Sequence, residues 1–212
     1  MREISLRTRA LGGLALAATS ALVLAGCASG STDGGSTDTA YKAADCAADS
    51  TSDNTFKVGT LLPITGSLAF LGPPEIAGVG LAVADINAAG GVNGKDACLY
   101  STDSGDSSDM SVSTASAEDL IKQKVSVVLG AASSSVSLNV VDSFTEAGIV
   151  EISPANTSAA LSGYSPFYFR TAPPDTVQGS ALGQLITGDG NSKVAFLVFN
   201  DSYGTGLRDS TE

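Results

Sequence analysis

From Phe56 onward the chain alternates short apolar or β-branched runs with longer stretches of helical spacing, and that alternation leaves few folds open. It is the pattern of parallel strands joined by crossover helices, with helices covering both faces of the sheet. Strand-like runs fall at 56–62, 97–102, 125–130, 149–153 and 167–170. Between the first two, Pro73 and Pro74 open a helix whose inner face carries Ile76, Val79, Val83 and Ile86 and which stops at Ala88-Ala89-Gly90-Gly91; proline suits a first turn and glycine a helix end. A second helix over 108–124 places Ala115, Leu120 and Ile121 inward, and a third over 135–147 places Val136, Val140, Val141 and Phe144 inward before Gly148. The expected fold class is α/β, a doubly wound parallel sheet with right-handed crossovers.

The segment before this body is of another kind. Arg2, Arg7 and Arg9 precede an apolar run from Ala10 to Ala25 that ends in small residues, as a secretory signal does. At about 16 residues the run falls short of the ~20 that span a bilayer comfortably, so a permanent membrane helix is the weaker alternative. Leu24-Ala25-Gly26-Cys27 looks like the lipobox of bacterial lipoproteins, which implies cleavage before Cys27 and a diacylglycerol on its thiol; plain cleavage beside a chance cysteine is the other reading. Residues 27–55 are small and polar and read as a flexible tether. Cys46 and Cys98 remain, and outside the cytoplasm an even pair points to a disulfide that pins the tether's end to an edge strand, with two separate thiols as the alternative.

Charge and composition remove several functions. Eleven basic against 22 acidic residues give −11, and loss of a leader holding Arg2, Arg7, Arg9 and Glu3 leaves 8 against 21, or −13. Nucleic acid is excluded, since gripping phosphates needs clustered basic residues. The chain has no His, which removes His-dependent triads and His-based zinc sites. Ser133, Ser134 and Ser135 lack a Gly-x-Ser-x-Gly elbow, a Ser-x-x-Lys pair and a His to act as base, so a hydrolase reading fares badly. No Gly-x-Gly-x-x-Gly follows the first strand. Asp103, Asp106 and Asp109 lack EF-hand spacing and read as a solvated loop entering a helix. No cofactor or metal is expected, and no catalysis.

In an open sheet of this kind ligands settle beyond the carboxyl ends of the strands, where strand order reverses. Those ends are Pro63-Ile64-Thr65-Gly66-Ser67, Gly130-Ala131-Ala132-Ser133-Ser134 and Ser153-Pro154-Ala155-Asn156-Thr157, all rich in hydroxyls and small residues. Ser134 stands where the third helix begins, a place that suits a carboxylate, although simple capping by Ser133 or Ser134 needs no ligand.

These residues resemble the type I periplasmic-binding-protein superfamily, specifically the branched-chain amino-acid-binding proteins of ABC importers. The resemblance rests on Lys57-Val58-Gly59-Thr60-Leu61-Leu62-Pro63-Ile64-Thr65-Gly66, on 84–94 (Ala-Asp-Ile-Asn-Ala-Ala-Gly-Gly-Val-Asn-Gly), on Ile152-Ser153-Pro154-Ala155, on Phe169-Arg170-Thr171-Ala172-Pro173 and on Tyr203-Gly204-Thr205-Gly206, in order across about 56–208. It implies a two-lobed clamp on a small ligand. Ser134 would meet the ligand's carboxylate; Ala155 (backbone) and Thr157 (hydroxyl and amide) would hold its amino and carboxyl groups; Tyr203 would arrive from the second lobe. Thr157 as a turn residue and Tyr203 as a surface residue are the bland alternatives. Many relatives carry an aromatic immediately before the glycine at Gly72, whereas this chain reads Phe70-Leu71-Gly72.

The implied organisation is a signal peptide over 1–26, a tether over 27–55, a first ligand-binding lobe over 56–172 and the incomplete start of a second lobe over 173–212, with a helix over 175–186 and a strand over 193–200. A second lobe cut short reads as a fragment of a longer protein. The implied partners are a small solute such as an amino acid, an ABC permease, and the membrane through the lipid on Cys27, which holds the body outside the cytoplasm. A sensory ectodomain of the same fold is the alternative.

Overall fold

A computed structural model of the protein describes Asp45, Cys46 and residues 55–212. The expected leader, Cys27 and most of the tether lie outside the described residues. The chain runs β1 (Lys57–Leu62), α1 (Gly72–Ala88), β2 (Cys98–Asp103), α2 (Met110–Lys122), β3 (Val127–Gly130), α3 (Ser134–Glu146), β4 (Val150–Ser153), β5 (Tyr168–Arg170), α4 (Asp175–Gly188) and α5 (Ser202–Thr211). The strands form one parallel sheet in the order β2-β1-β3-β4-β5. The chain steps outward from β1 to β2 and then back across to β3, so the order reverses between β1 and β3.

That reversal also decides which face each helix covers. Right-handed crossovers in opposite directions put α1 on one face and α2 on the other. Accordingly Val83 of α1 packs with Val58, Ala97 and Leu99, joined by Phe56, Val79 and Ile86. On the opposite face Leu120 of α2 and Val136, Val140 and Phe144 of α3 close over Leu61 and Val128. Each fully buried Leu or Phe contributes roughly 1.5–3 kcal/mol relative to exposure, so this layer anchors the sheet.

Local chemistry sets the helix ends. Pro73 and Pro74 sit in the first turn of α1, where their missing N–H groups leave no donor orphaned, and Gly90 (φ +100°) turns the chain out of it. The Asp109 carboxylate caps α2 by accepting from Ser111 N–H (3.0 Å). Gly148 (φ +69°) follows α3.

Three expectations need correction. Ala115 is exposed; the inward positions of α2 are Ser113, Ala117 and Leu120, because the register of the face is set by Leu120 beneath the sheet. The expected strand over 193–200 forms no ladder: no described strand lies beside it, and Leu197 and Phe199 are exposed. A strand exists only by pairing, so β-branched composition alone does not make one. The acidic loop is not simply solvated, since Asp106 is buried.

Cys46 and Cys98 are joined by a disulfide, with Cα atoms 4.8 Å apart. The segment docks on the outer edge of β2, where Asp45 bridges Leu99 and Cys46 N–H donates to Leu99 O (2.9 Å). At the other end of the chain α4 and α5 pack closely through small residues; a Cβ on Gly179 would meet Ser210 O at 2.4 Å.

Candidate functional site

The carboxyl ends of β1, β3 and β4 meet at the point where strand order reverses, and a cleft of about 240 Å³ opens there. Ala132, Ser133 and Ser134 line it from the turn after β3, Ala155 and Asn156 from the turn after β4, Ser67, Leu68 and Phe70 from the loop after β1. Ser107 closes one side, and Phe199, Asp201 and Tyr203 come from the start of α5 and the residues before it.

The turn after β3 is held by Gly130, whose φ is +132° and where a Cβ would lie 2.1 Å from Leu61 O. No other residue fits both the dihedral and the contact. Ala131 is then gripped at both polar atoms. Its carbonyl accepts from Ser153 Oγ (2.5 Å) and Asn156 Nδ2 (3.2 Å), and its N–H donates to Glu151 Oε1 (3.3 Å). Ser153 Oγ also accepts from the Asn156 N–H (3.1 Å), which shapes the second turn.

Ser134 joins the two turns. Its Oγ accepts from the N–H groups of Thr157 and Ser158, each at 3.2 Å. The hydroxyl proton therefore remains available for an acceptor in the cleft. Ser133 occupies the N-cap of α3 but its side chain makes no cap hydrogen bond, so capping does not account for these serines. Ser135 Oγ instead accepts from Ser202 N–H (3.0 Å) at the start of α5.

Of the four expected ligand residues, Ser134, Ala155 and Tyr203 are brought to one cleft. Thr157 does not line it but is tied to Ser134 through its N–H, and its buried Oγ1 has no hydrogen-bond partner among the described residues. Leu71 stands before Gly72 where many relatives carry an aromatic, and the loop lines the cleft with Leu68 and Phe70 instead; a Cβ on Gly72 itself would meet Pro63 O at 1.9 Å.

Several residues that shape the site gave little signal in the sequence. Asp106 Oδ2 accepts from Ser67 N–H (2.5 Å) and Ser67 Oγ (2.7 Å), and its other oxygen from Ser108. Donation from the Ser108 and Ser67 hydroxyls, then from their N–H groups, holds the Asp106 carboxyl well below the usual carboxylate range. Asp103 ties down Ile64 N–H (2.9 Å) and Thr65 N–H (3.2 Å) in the same loop. Burial pushes its carboxyl up, but donors from Thr65, Gly105 and Ile64 outweigh that and leave it lowered. Asp201 caps α5 through Tyr203 N–H (3.1 Å) and Gly204 N–H (2.8 Å) while lining the cleft. The Asp-Ser-Tyr-Gly string is a capping pattern, and it was the available signal for this residue.

Chemically the cleft offers hydroxyl and backbone donors beside one carboxylate, between apolar walls. Among the described residues there is no group of His, Cys, Asp and Glu that would hold a metal ion. This is an α/β lobe with a cleft at the sheet's switch point, the place where open parallel sheets take ligands. The chain belongs to the periplasmic binding protein family, whose family model matches residues 55–212. It is similar to the Leu/Ile/Val-binding protein homolog 2 of Brucella abortus, 34% identical over 157 residues that make up 73% of this chain and 42% of the relative. Among solved structures it is similar to the branched-chain amino acid transporter substrate-binding protein LivJ of Streptococcus pneumoniae in complex with isoleucine (TM-score 0.65, 30% identity, 74% of this chain and 45% of that one). A second is an ABC transporter substrate-binding protein of Desulfitobacterium hafniense in complex with Leu (TM-score 0.62, 28% identity, 74% and 46%). The chain thus spans less than half the length of the relatives it matches.

Proposed function

We propose that the chain is the ligand-binding part of an extracytoplasmic receptor that delivers a branched-chain amino acid, or a similar small polar solute, to an ABC permease. The observation that carries this reading is the convergence of Ser134 and Ala155 at the switch point, beside a helix start whose cap residue makes no side-chain cap bond. A solute carboxylate fits there: the N-terminus of α3 carries about half a positive charge and the Ser134 hydroxyl donates. The unpartnered Thr157 hydroxyl is the further donor this reading assigns to the solute. Residues 56–172 act as the fixed lobe, and Tyr203 belongs to elements that move with the opposing one.

The same reading anchors the receptor by a diacylglycerol on Cys27, with residues 27–55 as the tether that lets the body sample the membrane surface. Among the described residues no helix is long and apolar enough to cross a membrane. The test is the thermal melting shift produced by L-leucine, L-isoleucine and L-valine. Binding to the wild-type protein and its loss in Ser134→Ala supports the site; no shift with any small amino acid removes this ligand class. Retention of exported Cys27→Ser protein on membranes would refute the anchor.

A further inference from the structure

Beneath the cleft lies a buried carboxylate for which solute binding has no use. Glu151, in the middle of β4, is 1% exposed. Its Oε1 accepts from Ser137 Oγ (2.6 Å) and Ala131 N–H (3.3 Å), and its Oε2 has no hydrogen-bond partner among the described residues. Ser137 lies in the first turns of the 13-residue α3, and Ala131 opens the turn that leads to Ser134. Ser137 Oγ in turn accepts from Asn156 Nδ2 (2.7 Å), and Asn156 lines the cleft. The carboxyl is therefore bonded to the first turns of α3 through Ser137 and to the turn before that helix through Ala131.

Among the described residues no cation balances it. The neighbouring β3 carries no ionisable side chain, and Asp142 and Glu146 of α3 are exposed. From β5 comes Tyr168, whose hydroxyl bonds Asn156 and whose phenol is pushed up to about 12, first by burial and then by the charge of Glu151. Arg170 on the same strand is used elsewhere, donating to Ser158 O (2.8 Å) and Ser162 Oγ (2.5 Å). Burial accordingly outweighs the two donors and raises the Glu151 carboxyl to about 7.

We infer that Glu151, when ionised, competes with a bound solute's carboxylate for the N-terminal end of α3 and so sets the cleft's anion affinity. The inference rests on the solute-binding reading. A helix end carries a limited partial charge, and a carboxylate lodged behind it cancels part of what a ligand in front of it feels. Neutral Glu151 leaves that charge to the solute. Affinity therefore weakens as pH rises through about 7, by roughly threefold to tenfold. By linkage, binding near that pH draws a proton onto Glu151.

Two measurements on the exported chain test this, each between about pH 5.5 and 8.5, a window that brackets the titration. The first follows the amide NMR shifts of Ala131, Ala155 and Thr157 without solute. The second follows the Kd for L-leucine. In wild type the amides titrate with a midpoint near that of Glu151 and the Kd rises with pH; in Glu151→Gln both profiles are flat. Amides that do not titrate in wild type, or a Kd that rises equally in Glu151→Gln, overturn the inference. Amides that titrate in wild type alone, with no leucine bound at any pH, uphold the coupling of Glu151 to the rim and overturn the solute reading instead.

Discussion

Replacing Thr157 by Val separates the binding role of that residue from any structural one. The Thr157 hydroxyl is buried without a hydrogen-bond partner, while its N–H bonds Ser134 and its carbonyl accepts from Asp175 N–H (2.7 Å). Valine keeps the shape, the backbone bonds and the β-branch, and removes only the orphan oxygen. An unsatisfied buried hydroxyl costs about 1–3 kcal/mol, so the unliganded variant gains about 1 kcal/mol. For a body of this size that raises Tm by about 2–4 °C. If the hydroxyl binds a charged solute group, its loss costs about 1.5–3 kcal/mol of affinity, a factor of roughly 10 to 150. Differential scanning fluorimetry with and without L-leucine reads both effects, and titration calorimetry supplies the Kd. Melting lowered by more than about 3 °C would show that the hydroxyl has a partner after all. Unchanged leucine affinity would show that it takes no part in binding.

Reduction of the Cys46–Cys98 disulfide, which closes a separation of 52 residues, costs about 4 kcal/mol of unfolded-state entropy and lowers Tm by about 10 °C, as melts with and without reductant will show. Stability also falls with pH through Glu151. Its carboxyl is raised from the ordinary 4.5 to about 7, so the neutral form favours folding; the contribution is complete below pH 4.5 and is lost as pH climbs through 7. The loss is about 3 kcal/mol, visible in denaturant titrations at pH 5 and pH 8 and absent in Glu151→Gln. Gly130→Ala forces a Cβ into Leu61 O and displaces the turn that carries Ser134, so leucine binding is lost even where circular dichroism shows the fold retained.

The alternation of runs from Phe56 onward placed all five strands and the helices α1 to α4 in order, and the proline and glycine punctuation located the ends of α1 and α3. The switch-point rule led to the turns that carry Ser134 and Ala155, which line one cleft, without knowledge of any contact. What was misread or passed over shares one cause. Residues 193–200 have strand composition and no described partner strand. Asp106 lies in a loop that reads as solvated, yet it bonds Ser67, 39 positions away. Glu151 interrupts an apolar run, and only the packing of α3 over β4 makes it a buried acid under the cleft.

Backbone periodicity, caps and turns are local properties, governed by bonds within a few residues, and the order of residues along the chain suffices to state them. Burial of a charge, pairing of a strand and the meeting of three loops depend on neighbours that chain order does not bring together. Desolvation and hydrogen-bond satisfaction act through space, so those outcomes were settled only when the sheet closed and the helices packed on it.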